Sequence, residues 1–258
     1  MNWFPQLGSG AVAQFPLKRK RQWRAITNML ESGELISLPD TTGGQIEWHL
    51  SYQDLTDAEV TNLTSLFAAS AGSALSFGFI DPFANLLGWS EDLSQPDWQP
   101  GLLTTTGGFS DPVGTSRAWA VQNTSPGEQM LSQSLGVPGA YTICFSVYVR
   151  SDSAGTIGIL RDTTRINLPV GPQWKRIQIG GTGTSGATQS TFSLAIAAGS
   201  TVRVFGLQVE AQPWPSPYRP TGAASGILGE TRFSDDDLAV INTSPGLSNC
   251  QVNLVSRI

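Results

Sequence analysis

Short runs in which apolar and polar residues alternate, separated by Gly, Ser and Pro, cover most of this chain. Gly and Pro contribute 28 and 16 of the 258 residues, and charged residues only 14%. This composition and this period are typical of many short strands joined by turns. Since 40% of the residues are apolar, the strands can bury a substantial core. The sequence therefore predicts a mainly β protein.

One segment near the N-terminus changes from the strand period to the helix period. Thr56, with Glu59 three residues later, forms a capping-box pattern, and apolar residues at helical spacing follow it. Upstream, residues 34–38 and 45–52 alternate and predict half-buried strands, with a turn at Gly43–Gly44 between them. The apolar face of the second strand carries Ile46, Trp48, Leu50 and Tyr52.

The middle of the chain predicts a β-sandwich. From residue 85 onward, Gly, Ser and Pro turns separate several strong strand candidates. These candidates are residues 141–150, 156–160, 175–179, 191–197 and 201–209. Strands at this spacing are typical of a sandwich or jelly roll. The Pro-rich stretch 212–220 predicts an exit linker.

The C-terminal segment predicts a hairpin that cannot fold alone. Residues 232–241 and 250–255 have strand patterns, and an Asn-Thr-Ser-Pro-Gly turn joins them. About thirty residues bury too little apolar surface to form an independent core. We therefore expect the hairpin to pack on the N-terminal module with its single helix, which would make that domain discontinuous.

The sequence offers little material for catalysis. His49 is the one histidine, and it lies on the polar face of its strand, where we expect a solvated or interface role. Cys144 and Cys250 are isolated and are predicted to be small buried hydrophobes. No phosphate-binding loop, nucleophile elbow or metal-ligand motif occurs. We predict no enzyme activity, no cofactor and no metal site.

Aromatic residues of the middle domain suggest sugar binding, because exposed rings stack on the apolar faces of pyranoses. The candidate glycan contacts are Trp89, Trp98, Trp119 and Trp174, with Trp214 at the edge of the domain. The alternative is that these rings pack in the core. Glu91, Asp92 and Asp97 could supply the carboxylate pair of a glycosidase, although an opening strand and a solvated turn explain them equally well.

Residues 1–84 carry a pattern of aromatic and proline residues. Its parts are Phe4-Pro5, Val12-Ala13-Gln14-Phe15-Pro16, Trp48-x-Leu50-x-Tyr52, Leu55-Thr56-x-x-Glu59 and Phe77-x-Phe79-x-Asp81-Pro82. This pattern resembles the N-terminal domains of distal-tail and baseplate-type proteins of long-tailed bacteriophages and prophages. The C-terminal segment, with Arg232-Phe233-Ser234-Asp235-Asp236, is similar to the ending of such tail proteins.

The middle of the chain carries a second pattern. Its parts are Asn85-Leu86-Leu87-x-Trp89, Tyr141-Thr142-x-x-Phe145-Ser146-Val147-Tyr148-Val149 and Val204-x-Gly206-Leu207-Gln208-Val209-Glu210. It resembles the carbohydrate-binding-module-type jelly roll of phage tail proteins. Together the two resemblances imply a discontinuous, β-barrel-like tail-ring domain of residues 1–84 plus 222–258, with one α-helix. They imply an inserted jelly roll of residues 85–221.

The resemblance implies a structural virion protein of a phage tail tip or baseplate, assembled in the cytoplasm of the bacterial host. It would be a ring subunit that connects the tail tube to the host-recognition apparatus. Its partners would be further copies in a hexamer, with a trimer as the alternative, the tail tube protein, tail-tip hub proteins and the tape-measure protein. A carbohydrate-binding host-recognition protein and a polysaccharide depolymerase are the other functions considered. With a net charge of −5 and no long apolar run, we expect no membrane and no specific nucleic acid partner.

One short stretch concentrates positive charge in this acidic chain. It holds five of the 15 Lys and Arg residues, namely Lys18, Arg19, Lys20, Arg21 and Arg24. Alone, it fits a nuclear address, a nucleic-acid clamp or a strand that docks on an acidic neighbour. Alternation puts cations on both faces of the strand, so neither is a core face. We predict an edge strand or projecting β-arm that contacts another subunit or the tail tube. A solvated strand, or a contact to DNA or tape-measure protein in the lumen, is the alternative.

Overall fold

The computed structural model describes residues 2–257, apart from the side chains at positions 41 and 42. Its elements are β1 (Lys18–Met29), β2 (Leu35–Thr56), α1 (Asp57–Ala69), β3 (Phe77–Ile80), β4 (Thr104–Phe109), β5 (Ala118–Gln122), β6 (Gln129–Leu135), β7 (Ile143–Arg150), β8 (Gly155–Arg161), β9 (Thr164–Val170), β10 (Lys175–Gly181), β11 (Ser190–Ile196), β12 (Thr201–Glu210), β13 (Ile227–Phe233), β14 (Val240–Ser244) and β15 (Leu247–Arg257). The prediction of a mainly β protein is confirmed.

The chain forms two compact units. Unit 1 comprises Met1–Gly8, Val12–Phe79 and Leu228–Ile258, and unit 2 comprises Ser9–Ala11 and Ile80–Ile227. Unit 1 is therefore built from segments that lie on both sides of unit 2 in the sequence. The C-terminal strands supply part of its sheet.

Unit 1 contains a six-stranded sheet with the order β1-β2-β15-β13-β3, and β14 pairs with the first part of β15. β15 comes from the C-terminal segment and pairs with β2 from Gln45 to Thr56, as the small size of that segment led us to expect. The helix α1 begins at the predicted capping box. Thr56 accepts a hydrogen bond from the backbone of Glu59, and the Glu59 carboxylate accepts one from the backbone N–H of Thr56.

Two predictions about this sheet are wrong. There is no turn at Gly43–Gly44, because β2 continues through these residues and takes up residues 41–44 in a bulge opposite β1. The predicted strand 232–241 is broken, because the acidic residues between β13 and β14 bind side chains instead of a neighbouring strand. Asp235 accepts a hydrogen bond from Asn253, and Asp236 accepts two from Ser73.

The core of unit 1 is aromatic and lies under β2. The Trp48 ring is fully buried, with its centroid 5.0 Å from that of Phe79. Phe79 in turn has an edge contact with Phe4, and Phe77 lies against Phe233 of β13. Because Phe4, Trp48 and Phe233 come from three separate chain segments, this core fixes β2 in place.

Unit 2 is the predicted β-sandwich. One antiparallel sheet has the order β10-β7-β12-β5-β4, and the other has the order β6-β11-β8-β9. The rings of Phe145 in β7 and Phe192 in β11 are 5.8 Å apart, and both are buried where the two sheets face each other. Cys144 in this unit and Cys250 in unit 1 are free and buried, which confirms their predicted role.

Candidate interaction surfaces

Beyond the bulge, β1 and β2 continue as a two-stranded ribbon, which we call the arm (residues 24–40). Its ladder runs from the Arg24–Asp40 pair to the Met29–Leu35 pair, and residues 30–34 close the turn. β15 pairs with β2 only from Gln45 onward. Within the described residues, the arm therefore has no third strand. At roughly 3.4 Å per residue, six ladder pairs make it about 20 Å long.

The arm exposes large apolar side chains. Every residue from 23 to 39 is exposed, and the apolar ones on the arm are Ile26, Met29, Leu30, Leu35, Ile36 and Leu38. Ile26 and Leu38 are cross-strand partners, so they share one face, and they are 57% and 58% exposed. The prediction that residues 34–38 form a half-buried strand is wrong in its burial, because no sheet or helix of unit 1 covers the arm. Ile36 lies on the same face, whereas Met29 and Leu35 pair on the opposite face, so both faces of the arm expose apolar surface of the kind that marks interaction sites.

The basic stretch lies at the base of the arm. β1 is an edge strand of the sheet, which is one of the two forms predicted for the basic stretch, and its contact with a partner stays a prediction. Lys20 lies 3.7 Å from Glu47, and Arg24 forms an ion pair with Asp40. Lys18 and Arg21 form no ion pair with the described residues. Arg19 is the cross-strand partner of Trp48, so the two side chains lie on the same face of the sheet. That face is buried nearer the middle of the sheet.

Most of the tryptophans predicted to contact glycans are packed or hydrogen-bonded within unit 2. Trp98 is 4% exposed, and its indole N–H donates to the backbone oxygen of Trp89 at 3.0 Å. The indole N–H of Trp119 donates to the backbone oxygen of Glu91 at 2.8 Å. Trp89, Trp119 and Trp174 are half-buried. None of these four rings is presented as a fully exposed platform.

Trp214 is the exposed indole of unit 2, at 71%. It lies in the Pro-rich stretch that the sequence predicts to be an exit linker. The stretch is held to β12, because Ser216 donates two hydrogen bonds to the buried carboxylate of Glu210 and the Tyr218 ring packs on Phe205 at 5.3 Å. Trp214 is therefore a solvent-facing ring on an anchored segment.

Two of the three nominated acids are engaged in structural contacts. Glu91 forms an ion pair with Arg117 at 2.8 Å. Hydrogen bonds from Ser94 and Gln95 lower the pKa of Asp92, the opposite of what a general acid needs. Asp97 is exposed beside a cleft of unit 2. Glu91 and Asp92 are thus both held by neighbouring side chains, and the pKa of Asp92 is lowered where a glycosidase acid needs a raised one.

The histidine of β2 also makes a contact with another side chain. The His49 ring lies 2.8 Å from the side-chain oxygen of Asn253. In the part of the chain that the structure describes, no group of three or more His, Cys, Asp or Glu is placed to hold a metal ion. In that same part, none of the helices has the length and apolar character needed to cross a bilayer.

No protein-family model matches this chain, and no curated protein does. Solved structures match about half of it. The C-terminal family 22 carbohydrate binding module of Clostridium thermocellum Xyn10B is 19% identical, with a TM-score of 0.41, over 51% of this chain and 95% of that one. The CBM22-1 xylan-binding domain from Paenibacillus barcinonensis Xyn10C is 14% identical, with a TM-score of 0.41, over 53% and 97%.

A third similar structure is the enzymatically active domain of bacteriophage CBA120 tailspike protein 4. It is 14% identical, with a TM-score of 0.39, over 51% of this chain. The matched part spans only 22% of the tailspike chain. At TM-scores below 0.5, these resemblances assign neither a family nor a function to this chain.

Proposed function

We propose that this protein is a structural assembly subunit of a phage tail tip or baseplate, in which the arm of unit 1 contacts a neighbouring copy or the tail tube protein. The observation that carries this proposal is the arm itself. It projects apolar side chains from an edge strand that also bears the basic stretch, and nothing in unit 1 covers them. A binding role of this kind uses geometry and needs no catalytic group.

The energetics of the arm favour a covered state. Fully burying one Leu or Ile side chain contributes about 1.5–3 kcal/mol, and the arm exposes six large apolar residues. A two-stranded hairpin alone is only marginally stable in water. A partner that packs on the arm would therefore stabilise both the contact and the ribbon. Repeated around a closed ring, hexameric or trimeric, the same contact would bury every arm.

Electrostatic attraction would also steer the two partners toward this contact. Lys18 and Arg21 are exposed cations at the base of the arm, whereas the whole chain carries a net charge of −5. A neighbouring copy thus carries an excess of acidic residues, which would attract the basic strand. Attraction between such surfaces steers association and weakens as salt rises.

The arm is tested by placing charge on the face that carries Ile26, Ile36 and Leu38. In the double variant Ile26→Asp and Leu38→Asp, two carboxylates replace the apolar cross-strand pair, so the contact would have to bury unpaired charge. We expect oligomers of the full chain to dissociate to monomers, measured by light scattering after size-exclusion chromatography and by native mass spectrometry. The variant should remain folded by circular dichroism, because both residues are exposed.

A matched control lies on the same ladder. Thr27 and Ser37 are also cross-strand partners, but they lie on the opposite face of the arm, which also carries Met29 and Leu35. The variant Thr27→Asp with Ser37→Asp adds the same charge and should retain the oligomer. A wild-type protein that is monomeric in solution and absent from purified tails would refute the assembly role. Dissociation of both variants alike would refute the assignment to the Ile26–Leu38 face.

Carbohydrate binding for host recognition is the second candidate function, and the exposed ring of Trp214 favours it. Indole faces stack on pyranose rings, and this ring is solvent-facing on an anchored segment. We expect Trp214→Ala to abolish retention of the full chain on immobilised surface polysaccharide of the host. Trp23→Ala, which removes an equally exposed indole from unit 1, is the control. Equal retention of both variants would refute this role of Trp214, and release of reducing ends would point to a depolymerase instead.

A further inference from the structure

Unit 2 contains a second surface with the character of a ligand site. A cleft of about 340 Å³ opens beside β6, which falls within the roughly 300–1,000 Å³ of small-molecule pockets. Its polar lining residues are Asp97, Gln99, Gln133, Ser134, Gln189 and Ser225, and apolar walls come from Leu86, Pro96, Leu135 and Ala223. A few polar groups set among apolar walls are what orient a small ligand.

The floor of the cleft is fixed by hydrogen bonds. The buried Gln133 amide accepts from the backbone N–H of Gly88 at 2.8 Å and donates to the backbone oxygen of the same residue at 3.1 Å. Gln99 is positioned in a similar way, because its backbone exchanges two hydrogen bonds with Ser132 of β6. The buried amide of Gln133 is thus satisfied within the protein.

The rim, by contrast, carries unused hydrogen-bonding groups. The side chains of Asp97, Gln99 and Gln189 are exposed, and they make no hydrogen bond or ion pair with residues 2–257. Each amide can donate and accept, and the carboxylate accepts. No Lys or Arg lines the cleft, so an anionic ligand would meet the Asp97 charge without compensation.

We propose that this cleft binds a neutral sugar by its hydroxyl edge. Neighbouring hydroxyl groups of a sugar donate and accept together, which suits two amides and a carboxylate on one rim. The described lining has no aromatic ring, so recognition rests on hydrogen bonds and not on stacking. The proposal rests on the carbohydrate-binding candidate function and gives it a site separate from Trp214.

The test uses the full chain and defined sugars. Saturation-transfer NMR and calorimetry with glucose, galactose, mannose and N-acetylglucosamine should show binding of at least one of them, with glucuronate as the charged comparison. We expect the double variant Gln99→Ala with Gln189→Ala to weaken that binding by about tenfold or more, since each truncation removes a polar partner of a hydroxyl group. Gln173→Ala, an exposed glutamine of the same unit outside the cleft, should leave it unchanged.

Each outcome bears on one claim. No binding of any neutral sugar, or binding that survives in the double variant, overturns the cleft as a site. If the binding is lost only in Trp214→Ala, the cleft is overturned while the carbohydrate-binding function stands. Glucuronate binding as tightly as the neutral sugars overturns the assignment to neutral ligands. Unchanged thermal unfolding of the double variant shows that a loss of binding reflects lost contacts and not lost folding.

Discussion

Replacing Trp48 with Ala will lower the free energy of unfolding of unit 1 by about 3–5 kcal/mol. The side chain is fully buried, stands opposite Leu254 of β15 and packs against Phe79. Its removal loses buried apolar area and leaves a cavity where two distant chain segments meet. Denaturant unfolding followed by circular dichroism would measure the change, since the loss of an indole complicates fluorescence.

The same substitution at an exposed indole provides the comparison. Trp23 lies opposite the bulge of β2 and is 68% exposed, so Trp23→Ala should change the free energy of unfolding by no more than about 0.5 kcal/mol. Equal unfolding midpoints for the two variants would contradict the burial of the β2 face. A normal midpoint for Trp48→Ala alone would do the same.

Replacing Arg161 with Met should destabilise unit 2 by about 3 kcal/mol, because it leaves buried oxygens without a donor. The guanidinium is 3% exposed and donates to the backbone oxygens of Tyr141, Gly139 and Gly181. It thereby ties the loop before β7 and the end of β10 to the end of β8. Burial lowers the pKa of Arg161, and nearby Asp162 opposes that shift.

Arg165 offers the matched control for this variant. It lies in the neighbouring strand β9 and forms a two-pronged ion pair with Glu128 at 2.6 and 2.7 Å, with both side chains about one-third exposed. Surface ion pairs contribute roughly 0–1 kcal/mol, so Arg165→Met should have a small effect. Thermal unfolding of both variants measures the difference, and a larger loss for Arg165→Met would contradict this account of the loops.

Patterns of neighbouring residues correctly predicted the helix and the strands that depend on those residues alone. The capping box at Thr56 and Glu59 located the start of α1, and strict alternation located the buried face of β2. The sandwich strands of unit 2 followed from alternation between turns. A Gly-Gly pair proved ambiguous, because Gly43–Gly44 suits a bulge in a continuing strand as well as a turn.

The exposed surfaces could not be predicted, because they depend on tertiary contacts that the alternation of apolar and polar residues does not reveal. Residues 34–38 have the pattern of a half-buried strand, but burial requires a covering element, and the arm has none. In the same way, the indoles of Trp98 and Trp214 look alike in sequence, although one is buried and the other exposed. The cleft joins Asp97 and Gln99, which lie beside β6, to Gln189, which precedes the neighbouring strand β11, and no spacing in the sequence signals that meeting.

The position of β15 in the sheet has a consequence for synthesis on the ribosome. β15 pairs directly with β2, yet Ile80–Ile227 of unit 2 is translated between them. Until β15 has been translated, β2 has no strand to pair with on its inner side, and Trp48 is not covered by β15. Domains generally fold as units during translation, and closing so long a loop is slow. Unit 2 can therefore mature first, and unit 1 is completed last, from an open strand edge that has to be kept from pairing with other chains in the meantime.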